Sequence, residues 1–406
     1  MKRDRIRLYM LAAMTAVIMI LLTYGIHKIT DGRVADRTVK AGFVYVGDIS
    51  TGYTGNFVKA QKEVEQKYGS QIETVTKFNV PEDFVGDALD ELLTEGCQLI
   101  FTNSYGYGDT VKEYAGRYPD VEFCQAACNN ANVSPVYENY HTFMGTIYQG
   151  RYISGVIAGM KLKELIGNGV ITKEQAKVGY VGAYENPEVV SGYTAFIIGI
   201  RSIVPEAVMT VQYTNIWEDY YLEKVCAEQL IDEGCVVISQ HSDTTGPAVA
   251  CEETDSSRPV YYISYNDSMA DIAPTTYLTG TKINWEPYIE QAVAAVLKKK
   301  NIEDCINGNI HGNDVSAGFE QDWVQMLALN EFTAAEGSRE CIDTLVQKFK
   351  RKQLQVFCGE YTGTDINDPS DKIDLRKGYQ ENEKSSAPSF HYILDDVITI
   401  RQGEYQ

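Results

Sequence analysis

Apolar positions along the chain recur with two periods, one typical of buried strands and one typical of amphipathic helices. Residues 92–100 and 230–238 repeat one unit, in which a helix end, a stopping glycine and a short apolar run follow one another. The two copies lie 138 residues apart, which is about one domain length. The pattern therefore predicts two similar lobes, with a cleft between them as the default place for a small molecule.

Strands and helices are predicted to alternate within each lobe. In the first, the predicted elements are a strand at 43–46, a helix carrying Phe57, Ala60 and Val64, a strand at 72–80 and a helix through residue 93. In the second, they are a strand at 178–182, a helix at 189–200, a strand at 208–213 and a helix at 222–230. This alternation is typical of parallel sheets that are covered by helices on both faces.

The predicted fold class is α/β, with two doubly wound, Rossmann-like lobes joined by a multi-strand hinge and one N-terminal transmembrane helix. Residues 1–37 are assigned to the membrane anchor or signal and its tether. Lobe 1 is predicted to comprise residues 38–135 and about 272–318, and lobe 2 residues 136–271 and about 319–406. Several chain crossings between lobes would form a hinge that closes around a ligand.

The N-terminus carries the signals of a membrane segment. Between Arg7 and His27 lie 19 uncharged, mostly apolar residues, and four basic residues precede them. This charge bias predicts a cytoplasmic N-terminus and an extracytoplasmic remainder. No small-residue cleavage site ends the apolar run, which favours an uncleaved anchor in the cell membrane; secretion after signal cleavage is the alternative.

The net charge of the chain limits which molecules it can bind. The net charge is −20, and residues 1–37 carry +4, so the remainder would repel nucleic acid and anionic lipid. We expect no nucleic-acid partner.

Nine cysteines are an odd number, and Cys97, Cys235 and Cys358 lie in or beside apolar runs, which favours buried free thiols.

The sequence contains no recognisable catalytic signature. It has no G-x-S-x-G elbow, no H-E-x-x-H and no Walker loop, and its five histidines are not spaced as metal ligands. The acidic run at 365–371 resembles a calcium loop, but Pro369 and Ser370 break the pattern, so a solvated loop is predicted. We therefore predict no catalytic residues, no metal site and no cofactor.

Aromatic and polar residues do follow the predicted strands. In a doubly wound sheet, these strand ends face the crevice where ligands bind. Flat rings there would suit a flat ligand held by stacking. The aromatic candidates are Tyr53, Tyr105, Tyr184 and Trp217, and the polar candidates at strand ends are Asp48 and Asn103.

Four runs, at 103–107, 117–123, 148–159 and 178–182, resemble the basic membrane protein family. These proteins are substrate-binding proteins of nucleoside-type ABC importers, similar to the purine nucleoside receptor lipoproteins. The resemblance covers roughly residues 41–365, and Tyr-Gln-Gly-x-Tyr-x-x-Gly in the third run is its most specific part. It implies a type I periplasmic-binding-protein fold, a nucleoside-like ligand, and permease and ATPase partners.

The resemblance also implies roles for particular residues. The family stacks a nucleobase between two aromatic side chains, and Tyr53 and Trp217 occupy positions that look like these. Ribose-binding groups of the family correspond to Asn266 or Asp267, and to Lys282. The chain departs from the family at Ser50 and at residues 126–127, where relatives carry acids, so a carboxylate that reads a purine edge is missing from these positions.

The sequence thus predicts an extracytoplasmic, membrane-tethered solute-binding protein without catalysis of its own. Its ligand is expected to be a nucleoside or a nucleobase-like molecule, captured in the interlobe cleft for an ABC importer. Two other interpretations stay open. One is a membrane-anchored sensor or regulator of the same fold, and the other is a hydrolase acting on nucleosides.

Overall fold

The computed structural model describes residues 37–401, together with Thr15 and Met19. The predicted membrane anchor, or cleaved signal, therefore lies outside the described residues, apart from those two positions. Within the described part of the chain, no helix is long and apolar enough to cross a membrane.

Strands and helices alternate through most of the described chain. The strands are β1 Val39–Val44, β2 Ile72–Lys77, β3 Leu99–Thr102, β4 Glu122–Ala126, β5 Tyr140–Gly145, β6 Lys177–Gly182, β7 Val208–Tyr213, β8 Val237–His241, β9 Tyr261–Tyr265, β10 Tyr277–Ile283, β11 Asn309–His311, β12 Asp314–Ala317, β13 Val324–Met326, β14 Thr362–Asp365, β15 Lys372–Asp374, β16 Tyr392–Leu394 and β17 Ile398–Arg401. The α-helices are α1 Gly52–Tyr68, α2 Val85–Thr94, α3 Gly108–Arg117, α4 Tyr148–Gly167, α5 Pro187–Arg201, α6 Tyr220–Asp232, α7 Gly246–Glu252, α8 Glu286–Lys298 and α9 Ser338–Lys350.

Two seven-stranded sheets form the two lobes. The first has the order β2-β1-β3-β4-β5-β12-β11, and the second has the order β17-β7-β6-β8-β9-β10-β13. In the first sheet β11 is antiparallel, and in the second β13 is antiparallel; the other pairings are parallel. The order reverses at β1 in one sheet and at β6 in the other, and such switch points are where doubly wound sheets bind ligands.

The chain passes between the sheets three times, after β5, after β10 and between β12 and β13. This differs from the predicted lobe boundaries at two strands. β5 pairs with β4 in the first sheet, although residues 136–271 were assigned to lobe 2, and β10 pairs with β9 in the second sheet, although it was assigned to lobe 1. The polar segment around residue 135 joins neighbouring strands of one sheet, and composition alone does not distinguish such a loop from a linker.

Helices α4 and α5 touch backbone to backbone. A β-carbon placed on Gly155 of α4 would lie 2.0 Å from the carbonyl oxygen of Phe196 in α5, and one placed on Gly199 would lie 2.2 Å from the carbonyl oxygen of Tyr152. A β-carbon placed on Gly150 would lie 2.0 Å from the side-chain hydroxyl oxygen of Thr281 in β10. The most specific part of the family resemblance is therefore a packing motif beside the hinge.

The C-terminal segment binds to both lobes. Strands β14, β15 and β16 form a small antiparallel sheet, and β17 extends the second sheet beside β7. The buried Glu381 accepts a hydrogen bond of 2.9 Å from Ser191 of α5, whereas the Ser386 amide donates to Asp314 of β12 at 2.6 Å. This segment thus connects lobe 2 to β12 of the first sheet, which lies next to the edge strand β11.

Candidate ligand-binding site

A cavity of about 300 Å³ lies between the lobes, at the carboxyl ends of strands from both sheets. This volume lies at the lower end of the range for small-molecule sites. Loops after β1, β3 and β4 form one side, and loops after β6, β7, β8 and β9 form the other. The lining residues are Val46, Gly47, Thr51, Tyr53, Thr54, Asn103, Ser104, Tyr105, Ala127, Tyr184, Glu188, Ile216, Trp217, Glu218, His241, Asp243, Tyr265 and Asn266.

Aromatic rings from both lobes line this cavity. Trp217, after β7, meets Tyr184 edge to face, with ring centroids 5.4 Å apart. Across the cavity Tyr53 lies in the first turn of α1, and its hydroxyl donates to the backbone carbonyl of Asn103 at 2.5 Å. Tyr105 is 62% exposed at the edge of the cavity. Both lobes therefore offer ring faces and edges to a flat ligand.

Two buried asparagines of the cavity lining carry side-chain polar atoms without a hydrogen-bond partner. Asn103 accepts a bond from the Val46 amide at 2.9 Å through Oδ1, but its Nδ2 has no partner. Asn266 is buried in a left-handed conformation with φ of 66°, and neither of its side-chain polar atoms has a partner. Buried polar groups without partners cost about 1–3 kcal/mol each, so these amides are suited to bonding a ligand.

The second lobe contributes an acidic wall. Glu188, Glu218 and Asp243 line the cavity, and Glu188 Oε1 lies 3.3 Å from Nε2 of His241. Burial, followed by the nearby carboxylates of Glu223, Glu188 and Glu218, raises the pKa of Asp243 well above its usual value. Burial and the charge of Arg151 lower the pKa of His241 to about 4, so its imidazole is neutral at pH 7.

None of the residues that line the cavity is a lysine or arginine. Arg151, on α4, is fully buried and stacks on the ring of Tyr265, with its guanidinium carbon 3.7 Å from the ring centroid. Arg151 thus lies behind the cavity lining, where its charge adds to burial in lowering the pKa of His241 and partly offsets the rise that burial causes in the pKa of Tyr265.

Six of the nine predicted site residues line the cavity, namely Tyr53, Asn103, Tyr105, Tyr184, Trp217 and Asn266. The other three do not. Asp48 accepts hydrogen bonds from the Ser50 amide at 2.8 Å and from Asn79 at 3.1 Å, which hold the turn after β1. Asp267 forms an ion pair of 3.2 Å with Lys59 of α1.

Lys282 also lies outside the cavity lining, on β10. Burial, aided by the charge of Lys59, lowers its pKa. Asp267 follows β9 and Lys282 lies on β10, both in the second sheet, and their surroundings include α1 of the other lobe.

The sequence interpretation did not name Glu188, His241, Asp243 or Tyr265. The signal was available for three of them, because His241 and Asp243 end or follow β8 and Tyr265 ends β9. The repeat at 230–238 already marked β8, and the rule that ligands bind at strand ends would have led to residues 241–243. Glu188 lies in the first turn of α5, where no strand-end pattern identifies it.

Among the described residues, one group has donor atoms close enough to hold a metal ion. Asp365, Asp371 and His391 place one ligand atom each within 4.8 Å of one another. All three are partly exposed on or beside the small C-terminal sheet, and none lines the cavity.

Comparison with known proteins identifies the family. The family model described as ABC transporter substrate-binding protein PnrA-like (Bmp) matches residues 38–353. The chain belongs to this family. It is therefore a substrate-binding protein of an ABC transport system and not an enzyme, and the family implies a small-molecule ligand, permease and ATPase partners and an extracytoplasmic place of action.

Two relatives share 31% identity with this chain over about two thirds of its length. A purine-binding protein of Brucella abortus is 31% identical over 274 residues, which cover 66% of this chain and 73% of the relative. A candidate ABC transporter glucose-binding protein of Haloferax volcanii is 31% identical over 270 residues, which cover 66% of this chain and 63% of the relative. Among solved structures, an ABC transporter solute-binding protein from Conexibacter woesei has a TM-score of 0.61 at 15% identity, covering 78% of this chain and 98% of that one. This last likeness supports the two-lobed fold.

Proposed function

We propose that this protein captures a nucleobase or nucleoside in the interlobe cavity and presents it to the permease of an ABC importer. The N-terminal apolar segment would hold it at the outer side of the cell membrane. Binding would stabilise the closed arrangement of the lobes by population shift. Ligand-binding roles for Asp48, Asp267 and Lys282 remain part of the sequence prediction only.

The observation that carries this proposal is the set of rings at the cavity. Trp217 and Tyr184 come from one lobe and Tyr53 from the other, so a flat ligand could contact aromatic surfaces of both. Stacking of a base on an aromatic side chain is worth about 1–3 kcal/mol. The name of the Brucella abortus relative agrees with such a ligand, whereas the name of the Haloferax volcanii relative suggests a sugar.

Trp217→Ala is expected to weaken nucleobase binding about 5- to 150-fold, because the stacking surface is lost. The test is a thermal-shift titration of the full-length protein with adenine, adenosine, inosine, glucose and alanine. A ligand at 100 times its Kd stabilises the folded state by about 2.7 kcal/mol, so binding raises the melting temperature.

Tyr221→Ala is the matched control, because Tyr221 is 78% exposed and does not line the cavity. It should leave the ligand-induced shift unchanged. A shift with glucose alone, unaffected by Trp217→Ala, would contradict the proposal.

A further inference from the structure

Asp243 is a cavity carboxyl group without a partner. Its backbone amide donates to the backbone carbonyl oxygen of Trp217 at 3.0 Å, which connects the loop after β8 to the loop after β7. Its side chain makes no hydrogen bond or ion pair with any described residue. The neighbouring acid Glu223 differs, because its carboxylate accepts bonds from the Ser242 hydroxyl at 2.6 Å and the Thr244 amide at 3.2 Å.

The surroundings of Asp243 disfavour an anionic ligand. Glu188 and Glu218 line the same cavity, and no lysine or arginine lines it. Arg151 stacks on the Tyr265 ring and lies outside the cavity lining. A phosphate or carboxylate entering this cavity would lose its hydration and meet like charges. A ligand that brings N–H donors would instead satisfy the unpartnered carboxyl group.

We propose that Asp243 determines the specificity of the cavity by accepting a hydrogen bond from an amino group on the edge of a flat nitrogen heterocycle. The preferred ligand is then an uncharged or cationic amino-substituted base or its nucleoside, and nucleotides are excluded. This inference rests on the proposed function and adds to it which edge of the base is read, and by which residue.

The geometry allows the edge and the faces of the ring to be read by different residues. The Asp243 amide is bonded to the Trp217 carbonyl oxygen, and both side chains line the cavity, so one ligand can contact the indole ring and the carboxyl group together. The unpartnered amide groups of Asn103 and Asn266 remain for other polar atoms of the ligand. The carboxyl group thus adds selectivity between bases, whereas the rings add affinity for all of them.

The test compares two ligands that differ by one amino group. Isothermal titration of the full-length protein should give a Kd for adenine at least about tenfold lower than for unsubstituted purine. In Asp243→Ala this ratio should fall to near one, while purine binds about as before. Adenosine should bind at least about a hundredfold more tightly than adenosine monophosphate.

Two further variants sharpen the result. Asp243→Asn keeps the size of the side chain and one acceptor oxygen, so it should show an intermediate adenine-to-purine ratio. Asp271→Asn changes an exposed acid outside the cavity lining and should preserve the ratio. If adenine and purine bind wild type and Asp243→Ala with one unchanged ratio, this inference is overturned and the proposed function stands. If no base or nucleoside binds wild type, both are overturned.

Discussion

His141→Ala is expected to lower the free energy of unfolding by about 3–5 kcal/mol. His141 is buried on β5, with Nδ1 2.6 Å from Glu303 and Nε2 2.9 Å from Glu122. Removing the imidazole leaves two carboxylates without their shared partner, one of them buried. Urea-induced unfolding of wild type and variant at pH 7 measures the loss. His311→Ala, at a partly exposed histidine of the same sheet, should change stability by much less.

This histidine also predicts a pH dependence. Burial lowers its pKa, but hydrogen bonds to Glu122 and Glu303 outweigh this and raise the pKa to about 9. A folded pKa above the unfolded value of about 6.5 means that the stabilisation is fully present below pH 6.5 and is lost as the pH rises through 9. The loss amounts to about 3 kcal/mol. Wild type and His141→Ala should therefore converge in stability between pH 7 and 10, and parallel curves would contradict this account.

Gly155→Ala is expected to destabilise the protein by about 3 kcal/mol, although alanine is the better helix former. The added β-carbon would meet the Phe196 carbonyl oxygen at 2.0 Å, so α4 and α5 would have to separate. Gly167→Ala at the end of the same helix is the matched control, because nothing lies within 4 Å of its added carbon.

Helix propensity alone predicts that the control gains up to about 1 kcal/mol. Thermal unfolding of the two variants beside wild type separates the effects. Equal changes in both variants would show that the contact between α4 and α5 does not determine the requirement for glycine.

Much of the fold could be predicted from the sequence. The repeat of helix end, glycine and apolar run marks α2 and β3 in one lobe and α6 and β8 in the other. The predicted strand at 208–213 is confirmed as β7, and the family resemblance is confirmed by the match over residues 38–353. Such local patterns were sufficient because parallel strands and their covering helices have strong periodicities.

The strand partners and the acidic wall could not be predicted in the same way. Whether β5 and β10 join one sheet or the other depends on long-range pairing, which leaves no local pattern in the sequence. At residues 50 and 126–127, where the family resemblance leads one to expect acids, this sequence has none. The acids of the cavity instead come from loops and a helix of the other lobe, at Glu188, Glu218 and Asp243. A side chain's contribution to a cleft depends on the three-dimensional arrangement of both lobes.

The central claim is that this cavity selects a nucleobase-like ligand over a sugar. Equilibrium dialysis of the full-length protein against an equimolar mixture of radiolabelled adenosine and glucose tests it most directly, with Trp217→Ala in a parallel cell. The account predicts that wild type retains adenosine and not glucose, and that the variant loses most of the adenosine. Retention of glucose alone, equal in both proteins, would contradict it.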